Sequence, residues 1–295
     1  MNPREQGFLL LTSHLGDPER KVLSVAQLRT LANRVRSVAN PSHTGDVTAK
    51  TLISIGYDNA MAQRITVLLA DTEQLQWYLN KGAMFDCYPL SRAGEGYPQR
   101  LRLRLGLDSP GCLWGKGDPQ LLLKPAVALV GSRDLAAENL EFARQVGYQA
   151  ALQGYVLVSG NARGADRAAQ EAALEAGGQV ISVVADKLQS CPLRRNVLYL
   201  SEDSFDMGFS AQRALSRNRV IHALADAVLI AQCANGTGGT WDGTVRNLRH
   251  GWSPVYFFDD DSEGARALEQ MGAVSVKKQD LLDLELLAAN KTRLF

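Results

Sequence analysis

The stretch "LVSGNARGADRAAQEAAL" (residues 157–174) joins a short apolar strand to a helix through a turn made of small residues. Gly160 and Gly164 leave the backbone of that turn nearly bare, and Arg163 and Asp166 are the charged side chains within it. An apolar run that leads straight into a helix is typical of a parallel strand buried on both faces. The stretch therefore predicts one unit of a doubly wound α/β sheet.

The same alternation repeats from residue 126 to residue 295. The predicted strands are 126–130, 155–159, 179–185, 226–232, 254–258 and a short one near 273–276. The predicted helices are 135–153, one ending near 176, 211–224, one ending near 250, 264–271 and 279–289, with a long irregular stretch before residue 211. Because apolar strands alternate with helices, residues 126–295 are predicted to form a Rossmann-like domain with a doubly wound parallel sheet.

The first 125 residues follow different patterns. Residues 1–85 are predicted to form a small helical (SAM-like) domain with helices at 24–39, 58–70 and 71–82, whose default role is that of a spacer or interaction module. Residues 86–125 are rich in glycine and proline, which favours a linker that runs over the surface into the α/β domain.

The composition excludes several classes of protein. The four cysteines and four histidines are scattered without a pair at ligand spacing, so we expect reduced cysteines, no metal site and no cofactor. The longest apolar runs are too short to span a bilayer, and the N-terminus lacks the pattern of a signal peptide, so we expect a cytoplasmic protein with no membrane partner. The net charge of +1 means that any polyanion site must be a local patch.

Three loops follow predicted strands directly and open helices, at the edge of the sheet where such folds bind ligands. A helix N-terminus offers unpaired N–H groups, glycine lets an anion approach them, and arginine or hydroxyl side chains add donors. The loops therefore predict one phosphate-binding surface. Its candidate residues are Gly131, Ser132 and Arg133 in the first loop, Ser159, Gly160, Asn161, Arg163, Gly164 and Asp166 in the second, and Gly236, Thr237, Gly238, Gly239 and Thr240 in the third.

Other charged residues leave alternatives open. Asp166 would repel phosphate, so it either caps its own helix or holds Arg163 or Arg133. In "SRNRVIHAL" (216–224), one of Arg217 and Arg219, which flank Asn218, would meet the ligand while the other holds an acid such as Asp226 or Asp166.

Two further features complete the candidate list. The basic pair Arg194 and Arg195 is a further candidate contact, or else a solvated loop. No histidine neighbours a serine or cysteine in sequence, and His222 is expected to serve packing, so no catalytic residue is predicted.

The order and spacing of these motifs resemble the DprA/Smf family of DNA-processing proteins. The matching segments are "YPQRL" (97–101), "SPGCLWGKG" (109–117), "VGSR" (130–133), "SGNARGAD" (159–166), "SE" (201–202), "RNRVI" (217–221) and "GTGGT" (236–240). The resemblance implies an extended Rossmann fold that binds single-stranded DNA without catalysis. It also implies a homodimer or higher oligomer that hands the DNA to a recombinase, with the glycine, serine and arginine positions above as contacts.

The chain also departs from the family's usual pattern. Gln170 stands where the family usually has histidine, and Cys191 stands in place of the tyrosine that usually precedes Pro192. The segment "GTGGTWDGT" replaces a serine-rich loop. The winged-helix module that often follows in the family is not expected. These departures suggest a divergent branch that acts in phage defence or a toxin–antitoxin locus, with a toxin protein as partner.

The alternative function is that of a nucleoside-monophosphate phosphoribohydrolase, with Asp242 as its acid, or of a nucleotide-signal binder that uses the same loops. The aromatic residue beside the loops is Trp241, a candidate for base stacking.

Overall fold

The computed structural model describes residues 1–38, 47–202 and 204–289. Its helices are α1 (Pro3–Thr12), α2 (Val25–Val38), α3 (Ala49–Ser54), α4 (Asn59–Ala70), α5 (Thr72–Ala83), α6 (Gln99–Leu105), α7 (Ala137–Leu152), α8 (Ala165–Glu175), α9 (Ala211–Leu224), α10 (Gly239–His250), α11 (Glu263–Gln270) and α12 (Leu284–Ala289). Its strands are β1 (Tyr88–Ser91), β2 (Cys112–Lys116), β3 (Ala126–Val130), β4 (Val156–Ser159), β5 (Gln179–Val184), β6 (Val197–Glu202), β7 (Ala227–Ile230), β8 (Val255–Phe258) and β9 (Val274–Val276).

The strands of the described residues form one sheet in the order β1-β2-β6-β5-β4-β3-β7-β8-β9. Neighbours from β6 to β9 are parallel, and β2 pairs antiparallel with both β1 and β6. From β3 the chain first builds the sheet toward β6 and then returns to build it toward β9. This confirms the predicted doubly wound α/β fold, and its topological switch point lies between β3 and β7.

Both faces of the sheet are buried, as the unbroken apolar strands predict. In β3, Val127 and Leu129 face one core cluster with Phe142 of α7, whereas Ala128 and Val130 face the other. The second cluster includes residues of α9 and of α6, so helices cover the sheet on its two sides. None of the helices in the described part of the chain is long and apolar enough to cross a membrane.

Residues 86–125 differ from the predicted surface linker, because the segment adds β1, α6 and β2 to the fold. Every residue of β2 is buried, and Trp114 is wholly enclosed. The strands were missed because they pair antiparallel and are not each followed by a helix, so they lack the alternation that identifies the others. The expected irregular stretch before residue 211 likewise contains β6, which follows β5 with only a short 3-10 turn (Leu188–Ser190) between them.

Three N-terminal helices match the predicted segments closely, although α1 and α3 were not predicted and residue 39 of the predicted helix 24–39 lies outside the described residues. Residues 290–295 of the predicted Rossmann domain also lie outside them. Leu9 of α1 and Tyr78 of α5 belong to the same core cluster as residues of the sheet. The helices therefore pack directly on the α/β part, in contrast to the spacer considered above.

Candidate functional site

The carboxyl ends of β4, β3 and β7 lie side by side, and the loops that follow them converge as the sequence predicted. With α9 they surround a cavity of about 600 Å³. The cavity is lined by Val130, Gly131, Ser132, Arg133, Asp134, Ala162, Asp166, Phe209, Ala211, Ala214, Leu215, Arg217, Asn218, Ile221, His222, Ala234, Thr237, Gly238, Gly239 and Thr240. The structure thus brings together candidates from all three loops and from the 217–219 triplet.

We call residues 160–164 the β4 loop, and two of its backbone N–H groups already have an acceptor. The amides of Gly160 and Ala162 donate to Asp166 Oδ2 at 3.1 and 3.2 Å. The next amide, that of Ala165, donates to the Ser132 carbonyl at 3.3 Å. The expected anion site on the β4 loop is therefore replaced by an internal acceptor, the Asp166 carboxylate.

Asp166 has neither of the two roles considered for it. The N-cap position of α8 is Gly164, without a side-chain cap, and Arg163 pairs with Asp134 at 3.1 Å on the surface. Burial raises the pKa of Asp166, and the opposing influences are nearby Arg217, the two loop amides and Arg133. Asp166 therefore organises the β4 loop from within.

Arg217 forms the cationic floor of the cavity and is only 8% exposed. Its Nη1 donates to the Val183 carbonyl, and its Nε has no hydrogen-bond partner among the described residues. A side chain at Gly160 would overlap the guanidinium, which explains the bare backbone there. Burial lowers the pKa of Arg217, and Asp166 opposes that shift. Arginine nevertheless keeps its charge in proteins, so the floor presents a cation to the cavity.

We call residues 231–238 the α10 loop, and it differs from the β4 loop because the helix that follows it has open amides in its first turn. Gly236 and Gly238 have φ of +72° and +90°, values that favour glycine. Within the described residues, no acceptor is found for the N–H groups of Gly239, Thr240 and Trp241 in the first turn of α10. Three unpaired donors and the positive end of a 12-residue helix therefore face the cavity.

The first turn of α10 is held in place from α9. Asn218 Nδ2 donates to the Gly239 carbonyl at 2.8 Å, so the middle residue of the 217–219 triplet positions the loop. Arg133, from the loop after β3, lies exposed on the rim of the cavity and forms no ion pair with any described residue. The open amides, Arg217 and Arg133 together offer hydrogen-bond donors suited to a phosphate group, in a lining that also contains Asp134 and Asp166.

Other predicted candidates lie away from the cavity. Ser159 is fully buried and accepts from Gln170 Nε2 at 2.5 Å, and Asn161 and Arg163 point to solvent. Arg219 forms an ion pair with Glu202 instead of Asp226 or Asp166, and Arg219 Nε donates to the Asp108 carbonyl.

Arg194 and Arg195 lie at the opposite edge of the sheet. They come immediately before β6, and β6 runs parallel to β5, so they are near the amino ends of these strands. They line a separate depression with Tyr88 and Gly117. The structure therefore separates this basic pair from the cavity that holds the other candidates.

Sequence reasoning missed the apolar wall of the cavity. Phe209, 57% exposed, and Leu215, 45% exposed, stand beside Ala211 and Ala214. Phe209 lies in a segment without periodicity, so no pattern indicated it. The aromatic residue that was considered, Trp241, packs instead against the core.

His222 and Asp242 do not form a catalytic pair. His222 is buried, and its Nδ1 lies 3.1 Å from Asn247 Nδ2. Burial lowers the pKa of His222 to about 4. It is neutral at pH 7, which agrees with the expected packing role. Asp242, the acid of the alternative hydrolase, is exposed on α10 and is not part of the cavity wall. No metal-ligand cluster occurs in the described ranges.

Comparisons with known proteins agree with one another. Residues 90–285 match the model of the family described as DNA recombination-mediator protein A. The chain is 30% identical over 225 residues to the DNA processing protein DprA of Streptococcus pneumoniae, covering 72% of this chain and 76% of that protein. The solved DprA structure from that organism aligns with a TM-score of 0.73 and 24% identity, covering 96% of this chain and 97% of the other.

A second solved structure concerns DprA from Helicobacter pylori. It aligns with a TM-score of 0.57 and 26% identity over 68% of this chain and 96% of the other. The description of that structure refers to a single-stranded DNA binding mode.

Proposed function

Since the chain belongs to the DNA recombination-mediator protein A family, we propose that it binds single-stranded DNA and acts in DNA processing during recombination. The cavity at the carboxyl ends of β4, β3 and β7 holds the strand. The observation that carries this proposal is the buried guanidinium of Arg217, whose Nε is unpaired among the described residues, in the same cavity as the open first turn of α10. A buried guanidinium beside free amides supplies donors that a phosphate group can accept from.

A phosphate group binds at the first turn of α10. The N–H groups of Gly239, Thr240 and Trp241 donate to its oxygens, with Arg217 below and Arg133 at the rim. Amides and guanidinium groups contact the phosphate and carry no base information. Binding is therefore tolerant of sequence and weakens as salt rises.

The apolar wall takes a base. Phe209 offers an exposed ring beside Leu215, and base–aromatic stacking is tolerant of base identity. An unpaired base can turn into this wall, whereas a base in a duplex must first leave its stack and its partner. The cavity therefore favours single strands over duplex.

The protein acts without catalysis on the DNA. The matched family and the named relatives are a recombination mediator and DNA-processing proteins, which agrees with the prediction that this chain is not an enzyme. Asp242 lies outside the cavity wall, so the acid named for the hydrolase alternative is not at the site.

The complex with DNA contains more than one copy of the chain. One cavity contacts few phosphates, so two or more copies align along one strand to bind it tightly. The resemblance supports a recombinase as protein partner, and the departures at Gln170 and in residues 236–244 favour a toxin partner in a defence setting. We place this activity in the cytoplasm.

The test is fluorescence anisotropy in a salt series with a labelled oligothymidylate, a duplex of equal length and adenosine monophosphate as competitor. We expect the single strand to bind at least about tenfold more tightly than the duplex, with weak competition by the mononucleotide. Arg217→Lys keeps the charge but loses the planar fork, and it should weaken binding of the strand. Equal affinity for single strand and duplex would contradict the proposal.

Arg195→Ala is the matched control for Arg217→Lys, because Arg195 lies at the amino ends of the strands. We expect its affinity and salt slope to equal those of the parent. A loss of affinity in Arg195→Ala would mean that the strand also contacts the basic pair at the opposite edge of the sheet.

A further inference from the structure

The segment that carries Phe209 into the cavity is fixed on both sides. On the side of α9, Arg213 Nη1 donates to the carbonyls of Met207 and Gly208 at 2.7 and 2.9 Å. The next residue after Phe209, Ser210, caps α9 by accepting from the Arg213 amide at 3.1 Å. An aromatic ring that is more than half exposed is thus held between two anchored neighbours.

The other anchor is the N-terminal helical region. Asp206 Oδ1 accepts from Tyr78 OH at 2.7 Å, and Asp206 Oδ2 accepts from Lys81 Nζ at 2.7 Å. Both donors belong to α5. Ser204 Oγ completes the arrangement by donating to Asp206 Oδ1 at 2.8 Å and accepting from the amides of Asp206 and Met207.

An aromatic cluster lies under this polar contact. Phe205 packs 4.6 Å from both Tyr78 and Trp114, measured between ring centroids. The backbone of the same segment is also fixed, because the Phe205 carbonyl accepts from the Gln189 amide at 3.0 Å. The helical region, β2 and the segment from Ser204 to Gly208 therefore form one continuous packed unit.

We propose that Asp206 is a positioning residue, through which α5 of the helical region holds Phe209 in place as the base-stacking wall of the cavity. The inference rests on the proposed function. Fixing the ring before DNA arrives removes part of the ordering cost of binding, so the benefit appears as affinity for bases. The phosphate contacts at α10 and Arg217 are made by other elements and do not depend on Asp206.

The experiment separates these two contributions with two labelled strands of equal length, oligothymidylate and an abasic strand that keeps the phosphates. In the parent protein the oligothymidylate should bind about tenfold more tightly, because stacking acts on it alone. Phe209→Ala should remove most of that difference. Asp206→Asn and Lys81→Met should reduce it several-fold while leaving the affinity for the abasic strand unchanged.

The controls test whether Asp206 acts through Phe209. Lys81→Arg keeps the charge on α5 and should retain the difference, and Lys50→Met makes the same charge change at an exposed position of α3 and should have no effect. In the double variant Asp206→Asn/Phe209→Ala, the second substitution should add little to the first, because both act on one contact.

Two other outcomes would overturn the inference. If Asp206→Asn and Lys81→Met lower binding of both strands equally, the contact is structural and does not position the ring. If both variants keep the full preference for oligothymidylate, Phe209 needs no support from α5. Failure of the parent protein to bind either strand would instead refute the proposed function itself.

Discussion

The β4 loop and the α10 loop are rich in glycine, follow a buried strand and lead into a helix, yet their amides have opposite fates. In the β4 loop, the amides of Gly160 and Ala162 donate to the Asp166 carboxyl group, so these two amides are not available to a ligand. In the α10 loop, the described residues supply no acceptor for the first-turn amides of the helix. Glycine therefore has two uses here, close packing in the first loop and ligand access in the second.

The difference follows from where the acid sits in each helix. Asp166 is the second residue of α8 and is buried, so its carboxylate reaches back to the loop. Asp242 is the fourth residue of α10 and is exposed, so its carboxylate does not accept from the first-turn amides. A glycine-rich loop is an anion site only when the protein supplies no anion of its own.

The largest expected effect comes from removing that internal anion. Asp166→Ala leaves the amides of Gly160 and Ala162 without their acceptor and removes the acid that lies near the buried guanidinium of Arg217. We expect it to lower the free energy of unfolding by about 3–5 kcal/mol. Asp242→Ala, its exposed counterpart on α10, should change it by less than about 0.5 kcal/mol. Urea unfolding followed by circular dichroism measures both, and equal effects would remove the distinction between the loops.

The glycines give the second test of the comparison. At Gly164, φ is +88° and a Cβ would lie 2.7 Å from the Ser132 carbonyl oxygen, whereas at Gly236, φ is +72° and the space is empty. Gly164→Ala should therefore cost about 3 kcal/mol from strain and overlap together, and Gly236→Ala only about 1 kcal/mol from strain. Thermal unfolding of the two variants distinguishes them. A Gly164→Ala protein as stable as Gly236→Ala would mean that the β4 loop is as open as the α10 loop.

The convergence of the loops could be predicted from the sequence, but the availability of their amides could not. The strand–helix alternation predicts a doubly wound parallel sheet with its loops at one edge, and residues 126–130 and 211–224 were predicted with the bounds that the structure has. Whether Gly160 N–H is free depends on Asp166, six residues away, turning back toward it, and this is a property of the packed structure. No sequence pattern indicated Phe209, because its position depends on the contacts that Asp206 and Arg213 make in the folded structure.

The α10 loop should also respond to acid through His222, which lies under α10 beside Gly243. Its pKa is lowered from 6.5 to about 4 by burial, so the folded protein resists its protonation more than the unfolded chain does. The contribution of neutral His222 to the free energy of unfolding is complete above pH 6.5. It is lost as the pH falls toward 4, and the total loss is about 3 kcal/mol. His222→Gln should flatten the pH dependence of unfolding in that window. An unchanged slope would show that other groups cause it.

The smallest effects separate Arg133, in the loop after β3, from Arg163 of the β4 loop. Arg133 lines the cavity and has no ion-pair partner among the described residues, whereas Arg163 pairs on the surface with Asp134, the two side chains being 74% and 91% exposed. Such an exposed pair contributes at most about 1 kcal/mol, so neither Arg133→Ala nor Arg163→Ala should unfold the protein. Arg133→Ala should reduce the slope of log K against log salt for single-stranded DNA by about 0.7, the value for one lost phosphate contact. Arg163→Ala removes the same charge from the β4 loop, where Asp166 already accepts from two of the amides. It should therefore leave the slope unchanged. If Arg163→Ala lowers the slope as much as Arg133→Ala does, the DNA strand also contacts the β4 loop. The binding site then extends to that loop although Asp166 accepts from its amides.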